Sequence, residues 1–312
     1  MRFIYKNRIV GYIERLYYRP TALQLLFTSF LLPLSWIYEA VVRYKRLNTK
    51  VYIPPIPTIS IGNIVIGGSG KTPTVISIAS KLENAAVVMR GYGRKSKGLF
   101  VVSNKGEIEC DVQTSGDEAM LIAQSLPDTS VIVSEDRVEG IKKAYNMGAK
   151  VVLLDDGFAK AIKKLDILLM PDVLPNKRTL PIGPFKEPLE AIKYADIVLK
   201  ENIDYKPRVK LTKAQSGDRY ILVTAIAKPW RLDRWLPDGV VGKIYLPDHS
   251  KIEESMLKRE QKRYNATKIL MTQKDYVKCK DFNLPIALLE MEMEIDTRVF
   301  DKIYSYIKDY KI

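Results

Sequence analysis

Four groups of residues have the types and spacing for chemistry. The first is Gly67-Gly68-Ser69-Gly70-Lys71-Thr72-Pro73. Its glycines let successive backbone N–H groups turn inward around a polyphosphate. Lys71 would reach the outer phosphates and Thr72 would ligate Mg²⁺ at a helix start. The common pattern has glycine at position 65, where this chain has Val65, but the glycine-lysine-threonine half is intact. The second group is Asp155-Asp156, two acids that close the apolar run Val151-Val152-Leu153-Leu154. This is the form of a strand that presents carboxylates at its C-terminal edge, where Asp155 or Asp156 would hold Mg²⁺ beside Thr72.

The third group is Gly116-Asp117-Glu118, ahead of an apolar helix predicted over residues 119–126. Its acids serve either a reaction or the helix dipole. The fourth is Pro247-Asp248-His249, which holds the single histidine of the chain. It reads equally as an Asp/His pair at a cleft or as an uninformative surface residue. Between these lies Arg90-Gly91-Tyr92-Gly93-Arg94-Lys95-Ser96-Lys97-Gly98, four cations and three glycines after a short strand. Close approach to a phosphate and a solvated basic turn explain it equally well.

Positioning such groups requires alternating strands and helices. Apolar runs predict strands at 59–66, 86–89, 130–134, 151–154, 165–169 and 196–199, with a hairpin about Asn104-Lys105-Gly106. A second α/β unit is predicted with strands near 220–225, 240–246, 268–271 and 286–290. Residues 204–217 are polar and read as a linker. The prolines between 171 and 188 mark a long ordered loop.

The composition is that of a globular protein, 46% hydrophobic and 28% charged. Two cysteines without a disulfide framework, and no cleavable signal pattern, suggest a reducing cytoplasmic compartment for the body. Residues 1–50 carry nine Lys/Arg against two acids, half of the net charge of +14. This segment is also the most apolar, so its charge points to anionic lipid headgroups, and no motif points to nucleic acid. No charge interrupts residues 20–38. Gln24, Thr28, Ser35 and Glu39 nonetheless form one polar stripe, continued by Arg43 and Arg46, and Pro33 bends or breaks the helix. A helix lying on the membrane is favoured over a single span or a buried core helix.

Taken together, these blocks resemble the tetraacyldisaccharide 4′-kinases of lipid A biosynthesis. The resemblance rests on Ile61-Gly62-Asn63 leading into the phosphate loop, Arg90-Gly91-Tyr92, Gly116-Asp117-Glu118 and Ser134-Glu135-Asp136-Arg137. Asp155-Asp156-Gly157-Phe158, Glu187-Pro188, Pro247-Asp248-His249 and Thr272-x-Lys274-Asp275 complete it, over roughly residues 30–280. That family's phosphate loop also lacks the first glycine. The resemblance implies two α/β/α lobes, the first a phosphate-loop nucleotide-binding domain, joined by a β-ribbon, with an N-terminal amphipathic membrane helix. The expected division is 1–50, 51–205 and 206–312. It further implies ATP and Mg²⁺ as cofactors, and an acylated glucosamine disaccharide 1-phosphate as acceptor at its 4′-hydroxyl. The enzyme would be a monomer, peripheral or monotopic on the cytoplasmic face of the bacterial inner membrane.

By motif position, Lys71 is the phosphate-loop lysine, and residues 67–73 with Glu187 serve the nucleotide. Thr72, Asp155 and Glu118 serve the metal and Asp156 supports the site. Asp117 is the base, paired with His249, which Asp248 orients. Arg90, Tyr92, Arg94 and Arg137 engage the lipid substrate. Three departures stand out: Ala159-Lys160 in place of Gln-His, Lys186 in place of an arginine before Glu-Pro, and Ala119 in place of proline. The competing reading is a membrane-associated partition-type ATPase, whose signature lysine before the glycine pair is here Ile66.

Overall fold

The structure is a computed structural model that describes residues 13, 16–18, 20–67, 70–172, 176–226 and 228–311. Two sheets organise it. The larger has eight strands in the order β4-β3-β5-β2-β6-β1-β7-β8. They are β1 Thr58–Gly62, β2 Ala85–Met89, β3 Phe100–Asn104, β4 Glu107–Ile108, β5 Ser130–Val133, β6 Val151–Asp155, β7 Leu165–Met170 and β8 Ile197–Lys200. All pairings are parallel except those of β3, which runs antiparallel to β5 and to the edge strand β4.

The central strands are buried on both faces, because successive side chains point to opposite sides and helices cover each side. Val87, Met89 and Leu153 pack with Val75 and Ile78 of the helix Lys71–Ala79 and with Met120 and Ile122 of the helix Asp117–Ser125. Their neighbours Ala86, Val88 and Leu154 pack the other way, against Ile141 and Ala144 of the helix Arg137–Asn146.

The smaller sheet has the order β11-β10-β12-β13-β9. Its strands are β9 Tyr205–Thr212, β10 Tyr220–Thr224, β11 Val240–Tyr245, β12 Lys268–Thr272 and β13 Ile286–Ile295. Two expectations are corrected here. Residues 205–212 are a strand rather than a linker, antiparallel to β13 from Tyr205↔Ile295 to Thr212↔Leu288. The basic residues Lys206, Arg208 and Lys210 alternate with Tyr205, Val209 and Leu211, so polarity concealed a period of two. Pro207 is tolerated because β9 is an edge strand.

Strand β13 also runs five residues beyond the expected Glu290, with Met291, Met293 and Ile295 alternating with glutamates. It carries the chain back to the first lobe, where Met293 joins the core of the larger sheet and its N–H donates to Ser77 Oγ at 3.3 Å. The final helix, Thr297–Asp309, then buries Val299 and Ile303 in that same core.

Two smaller differences concern the hairpin and the helix that follows. The second hairpin strand is only Glu107–Ile108, because Asp111 accepts from Thr114 N–H at 2.8 Å and caps a short helix, Val112–Ser115. The next helix starts at Asp117 rather than at residue 119.

The N-terminal segment forms a helix Ala22–Thr28, a 3₁₀ turn Ser29–Leu31 and a helix Leu32–Asn48, with Pro33 in the first turn of the latter. From Ser35 onward its polar stripe faces the body, whereas Gln24 and Thr28 bond within the helix. Buried Ser35 donates to Thr179 O at 3.2 Å, Glu39 accepts from Thr179 Oγ1 at 2.9 Å, and Tyr38 donates to Lys186 O at 2.8 Å. The opposite face exposes Leu23, Leu26, Phe27, Phe30, Leu34, Trp36, Ile37 and Val41. By length and composition residues 22–48 could cross a membrane.

Because Ile303 is fully buried, Ile303→Ala should lower unfolding free energy by about 2–5 kcal/mol. Urea denaturation measures this, and an unchanged midpoint would mean that the last helix is not packed on the large sheet.

Candidate active site

The phosphate-loop segment leaves the C-terminal end of β1 and enters the helix Lys71–Ala79. Gly62 is required at the strand's end, since a Cβ there would meet Phe158 Cβ at 2.6 Å. Val65 is buried and bridged to Phe185, which makes it part of the core beneath the loop rather than a phosphate-facing residue. Gly67 and Gly70 adopt left-handed backbone, with φ of 97° and 76°. Gly68 and Ser69 lie outside the described residues.

Lys71 Nζ sits 3.2 Å from Asn63 Oδ1 and 3.9 Å from Asp156 Oδ1. Strand β6 lies beside β1 with Asp155 opposite Ile61, so both acids reach the same sheet edge as the loop. Burial pushes the Asp155 carboxyl up to about 7, opposed by Lys71 and reinforced by Glu118 and Asp156. Its Oδ1 is buried with no partner among the described residues. For Asp156 burial acts in the same direction, but Lys71 and Lys186 outweigh it and hold the carboxyl below its ordinary value. Lys186 approaches the Asp156 oxygens at 2.7 and 3.0 Å. Here the departure from arginine gives a point charge spent on an acid of the site.

A buried carboxylate oxygen without a partner, in a cleft that Thr72 also lines, suits a hard cation. Among the described residues no three His, Cys, Asp or Glu form a metal cage. Mg²⁺ takes one or two carboxylates and completes its shell with phosphate and water.

The other half of the site comes from the smaller sheet. His249 lies in the turn after β11 with φ of 59°. Its Nδ1 is 3.2 Å from Asp117 Oδ2. An ionised carboxylate only accepts, so Nδ1 carries the proton. The Tyr92 ring lies 5.4 Å from the imidazole, centroid to centroid. Asp248 Oδ2 is 3.7 Å from His249 Nε2, too far for a hydrogen bond, and its Oδ1 instead accepts from the His249 backbone N–H at 3.1 Å. Burial opposes ionisation of Asp117, but bonds to His249 and Lys278 prevail and hold its carboxyl below the usual range.

A cleft of about 1450 Å³ runs between the two sheets. Lys71, Thr72, Asp155, Asp156, Arg90 and Tyr92 line one wall, while Asp248, His249 and Lys274 line the other. Arg137 also reaches the cleft. It is anchored from below by donation to Ser134 O at 2.7 Å, and its Nε has no partner among the described residues. Glu118 lines the cleft and pairs with Lys274 at 3.0 Å. Lys160 lines it too, its ammonium pulled down by partial burial and by Arg137 and Arg90.

Two expected site residues are engaged in ion pairs, and of the two only Glu187 lines the cleft. Arg94 turns away from the cleft, 2.5 Å from both Glu135 Oε1 and Gly98 O, because an almost fully buried guanidinium needs a counter-charge. Glu187 is committed to Arg46 at 2.9 Å, and that guanidinium stacks over Phe158 at 4.7 Å. Asn63, Lys274 and Lys278 received no role from the sequence. Lys274 was visible as part of the Thr272-x-Lys274-Asp275 block, without a role, and the signal for Lys278 was its spacing of four residues from it.

A family model described as tetraacyldisaccharide-1-P 4′-kinase matches residues 27–308. The chain belongs to the tetraacyldisaccharide 4′-kinase family. It is 45% identical over 314 residues to the tetraacyldisaccharide 4′-kinase of Aliarcobacter butzleri, covering 98% of this chain and all of that one. It is 44% identical over 300 residues to that of Helicobacter acinonychis, covering 96% of each. The structure superposes with a TM-score of 0.77 on the crystal structure of Aquifex aeolicus LpxK in complex with ATP. The two are 27% identical, and the match covers 90% of this chain and 99% of that one.

The Arg46–Glu187 pair is mostly buried, and removing one partner of such a pair costs about 3 kcal/mol. Glu187→Ala should therefore loosen residues 32–48 from the body. Limited proteolysis should cut that helix at least tenfold faster while the body survives, and equal protection would show that the pair does not hold the helix.

Proposed function

We propose that this chain transfers the γ-phosphoryl group of ATP to the 4′-hydroxyl of tetraacyldisaccharide 1-phosphate, yielding lipid IVA. Family membership supports a kinase of lipid A biosynthesis that uses ATP. The observation that carries the residue roles is that the phosphate-loop lysine and His249, from opposite lobes, line one cleft, with Asp117 3.2 Å from the imidazole.

Phosphoryl transfer asks little covalent chemistry of the protein, so alignment and charge supply most of the rate. Lys71 and the loop amides hold the β- and γ-phosphates. Thr72, Asp155 and Glu118 would hold Mg²⁺, which neutralises charge developing on the transferred group. Asp156, flanked by Lys71 and Lys186, keeps the lysine aimed at the phosphates.

Asp117, ionised at neutral pH, takes the proton of the 4′-hydroxyl as its oxygen bonds to the γ-phosphorus. The bond from that phosphorus to the bridging oxygen breaks and ADP departs. His249 donates to Asp117 and orients it, and Asp248 shapes the turn that carries the imidazole. Arg90, Arg137 and Tyr92 face the anionic lipid. Arg94 acts behind them by holding the basic loop. A partition-type ATPase would leave the Asp117–His249 pair without a purpose.

The functional division proposed is residues 1–50 for the membrane, 51–205 for the nucleotide and 206–312 for the lobe that brings His249, with the final helix of that span packed back on the core of the large sheet. The enzyme acts as a monomer on the cytoplasmic face of the inner membrane. Its N-terminal helix lies in the interface with the exposed leucine and aromatic face inward. The polar stripe is already used by the body, which argues against a free span.

Two outcomes are expected. Asp117→Ala should lower 4′-phosphorylation about 10²–10⁴-fold in protein that is still folded, as followed by transfer of label from ATP to lipid. Near-normal turnover would remove the base. The double change Phe30→Asp with Ile37→Asp should reduce co-flotation with anionic liposomes severalfold without altering the melting temperature. Undiminished flotation would mean that another surface binds lipid.

A further inference from the structure

Asp117 and His249 belong to different lobes, and a 3.2 Å contact between them is weak insurance that a base and its imidazole keep register. A third group joins them. Lys278 follows the short helix Gln273–Tyr276, four residues after Lys274, and its side chain is only 11% exposed. Its Nζ lies 2.6 Å from Asp117 Oδ2 and donates to Ser250 O at 3.3 Å. Ser250 is the residue after His249, so one ammonium spans from the turn that carries the imidazole to the carboxylate across the cleft.

Both cross-cleft contacts to Asp117 fall on the same oxygen, Oδ2. A carboxylate rotates about its terminal bond unless it is held, and two donors on Oδ2 fix the plane. Oδ1 stands outside both contacts. A misplacement of about 1 Å at a reacting group can cost about 10²-fold in rate.

We infer that Lys278 is a positioning residue for phosphoryl transfer: it clamps the Asp117 carboxylate to the 249–250 turn and so sets the direction of the proton-accepting oxygen. The inference rests on Asp117 being the base. Lys274 pairs with Glu118 at 3.0 Å and lies 3.5 Å from His249 Nε2 and from Asp248 Oδ1, but its closest contact is not with the Asp117 carboxylate that Lys278 holds.

The test is steady-state kinetics of the full-length enzyme with ATP and the acylated disaccharide 1-phosphate in detergent micelles. Lys278→Met should lower kcat roughly 30- to 100-fold while KM for ATP stays within about twofold, because the phosphate loop is untouched. Lys278→Arg, which keeps the charge, should recover part of the loss. In an Asp117→Asn background Lys278→Met should have no further effect, since its influence passes through the carboxylate.

Full kcat in Lys278→Met, or an undiminished loss on top of Asp117→Asn, would overturn the inference. Should Lys278→Met fail to fold, Lys278→Gln, which retains an amide donor, takes its place in the same cycle with the same two deciding results. Failure of the underlying reading is separately visible. It would appear as Asp117→Asn turning over at the rate of the unaltered enzyme, or as no label reaching lipid with the unaltered enzyme.

Discussion

The Asp117 carboxylate is the point on which the two halves of the molecule meet. It sits at the N-terminus of a large-lobe helix and is approached from the small lobe by an imidazole at 3.2 Å and an ammonium at 2.6 Å. Burial makes an isolated carboxylate costly, and these two donors make its ionised form tolerable. The same contacts that keep it charged also tie the two lobes to each other.

The phosphate side shows the opposite arrangement. Asp155 is buried with an unpaired oxygen and its carboxyl is raised to about 7. Asp156, one residue on, is held low by two lysines. Adjacent carboxylates therefore differ in character because one points under the loop and the other into a ring of cations. A cation beside Thr72 would reverse the balance at Asp155, since bound metal supplies the counter-charge that the protein withholds.

The N-terminal helix obeys the same economy of polar groups. Its serine, tyrosine, glutamate and arginine stripe satisfies donors and acceptors of the 179–190 loop, including Lys186 and Glu187 beside the cleft. The apolar face is left outward by default. The helix is thus braced against the active-site wall by the polar groups that a transmembrane reading would count against it.

Most of the large sheet, the phosphate loop and the acid pair after β6 were legible in the chain, because buried parallel strands are continuous apolar runs and glycine-rich turns after them have few other uses. The short blocks around Asp117 and His249 were legible only as a set, by resemblance. Residues 205–212 were not, since on an edge strand alternating lysine and arginine mask the inward residues. Neither was the return of the last helix to the first core, which depends on β13 crossing between lobes. Tertiary structure alone decided that Arg94 and Glu187 are spent on internal ion pairs and that Lys278 reaches Asp117. A side chain's partner is set by which surfaces come within a few ångströms after folding, and the pairs concerned are separated by 41, 141 and 161 residues of chain. Local pattern carries the period of burial and the chemistry of a loop, whereas charge pairing across a cleft is a property of the closed shape.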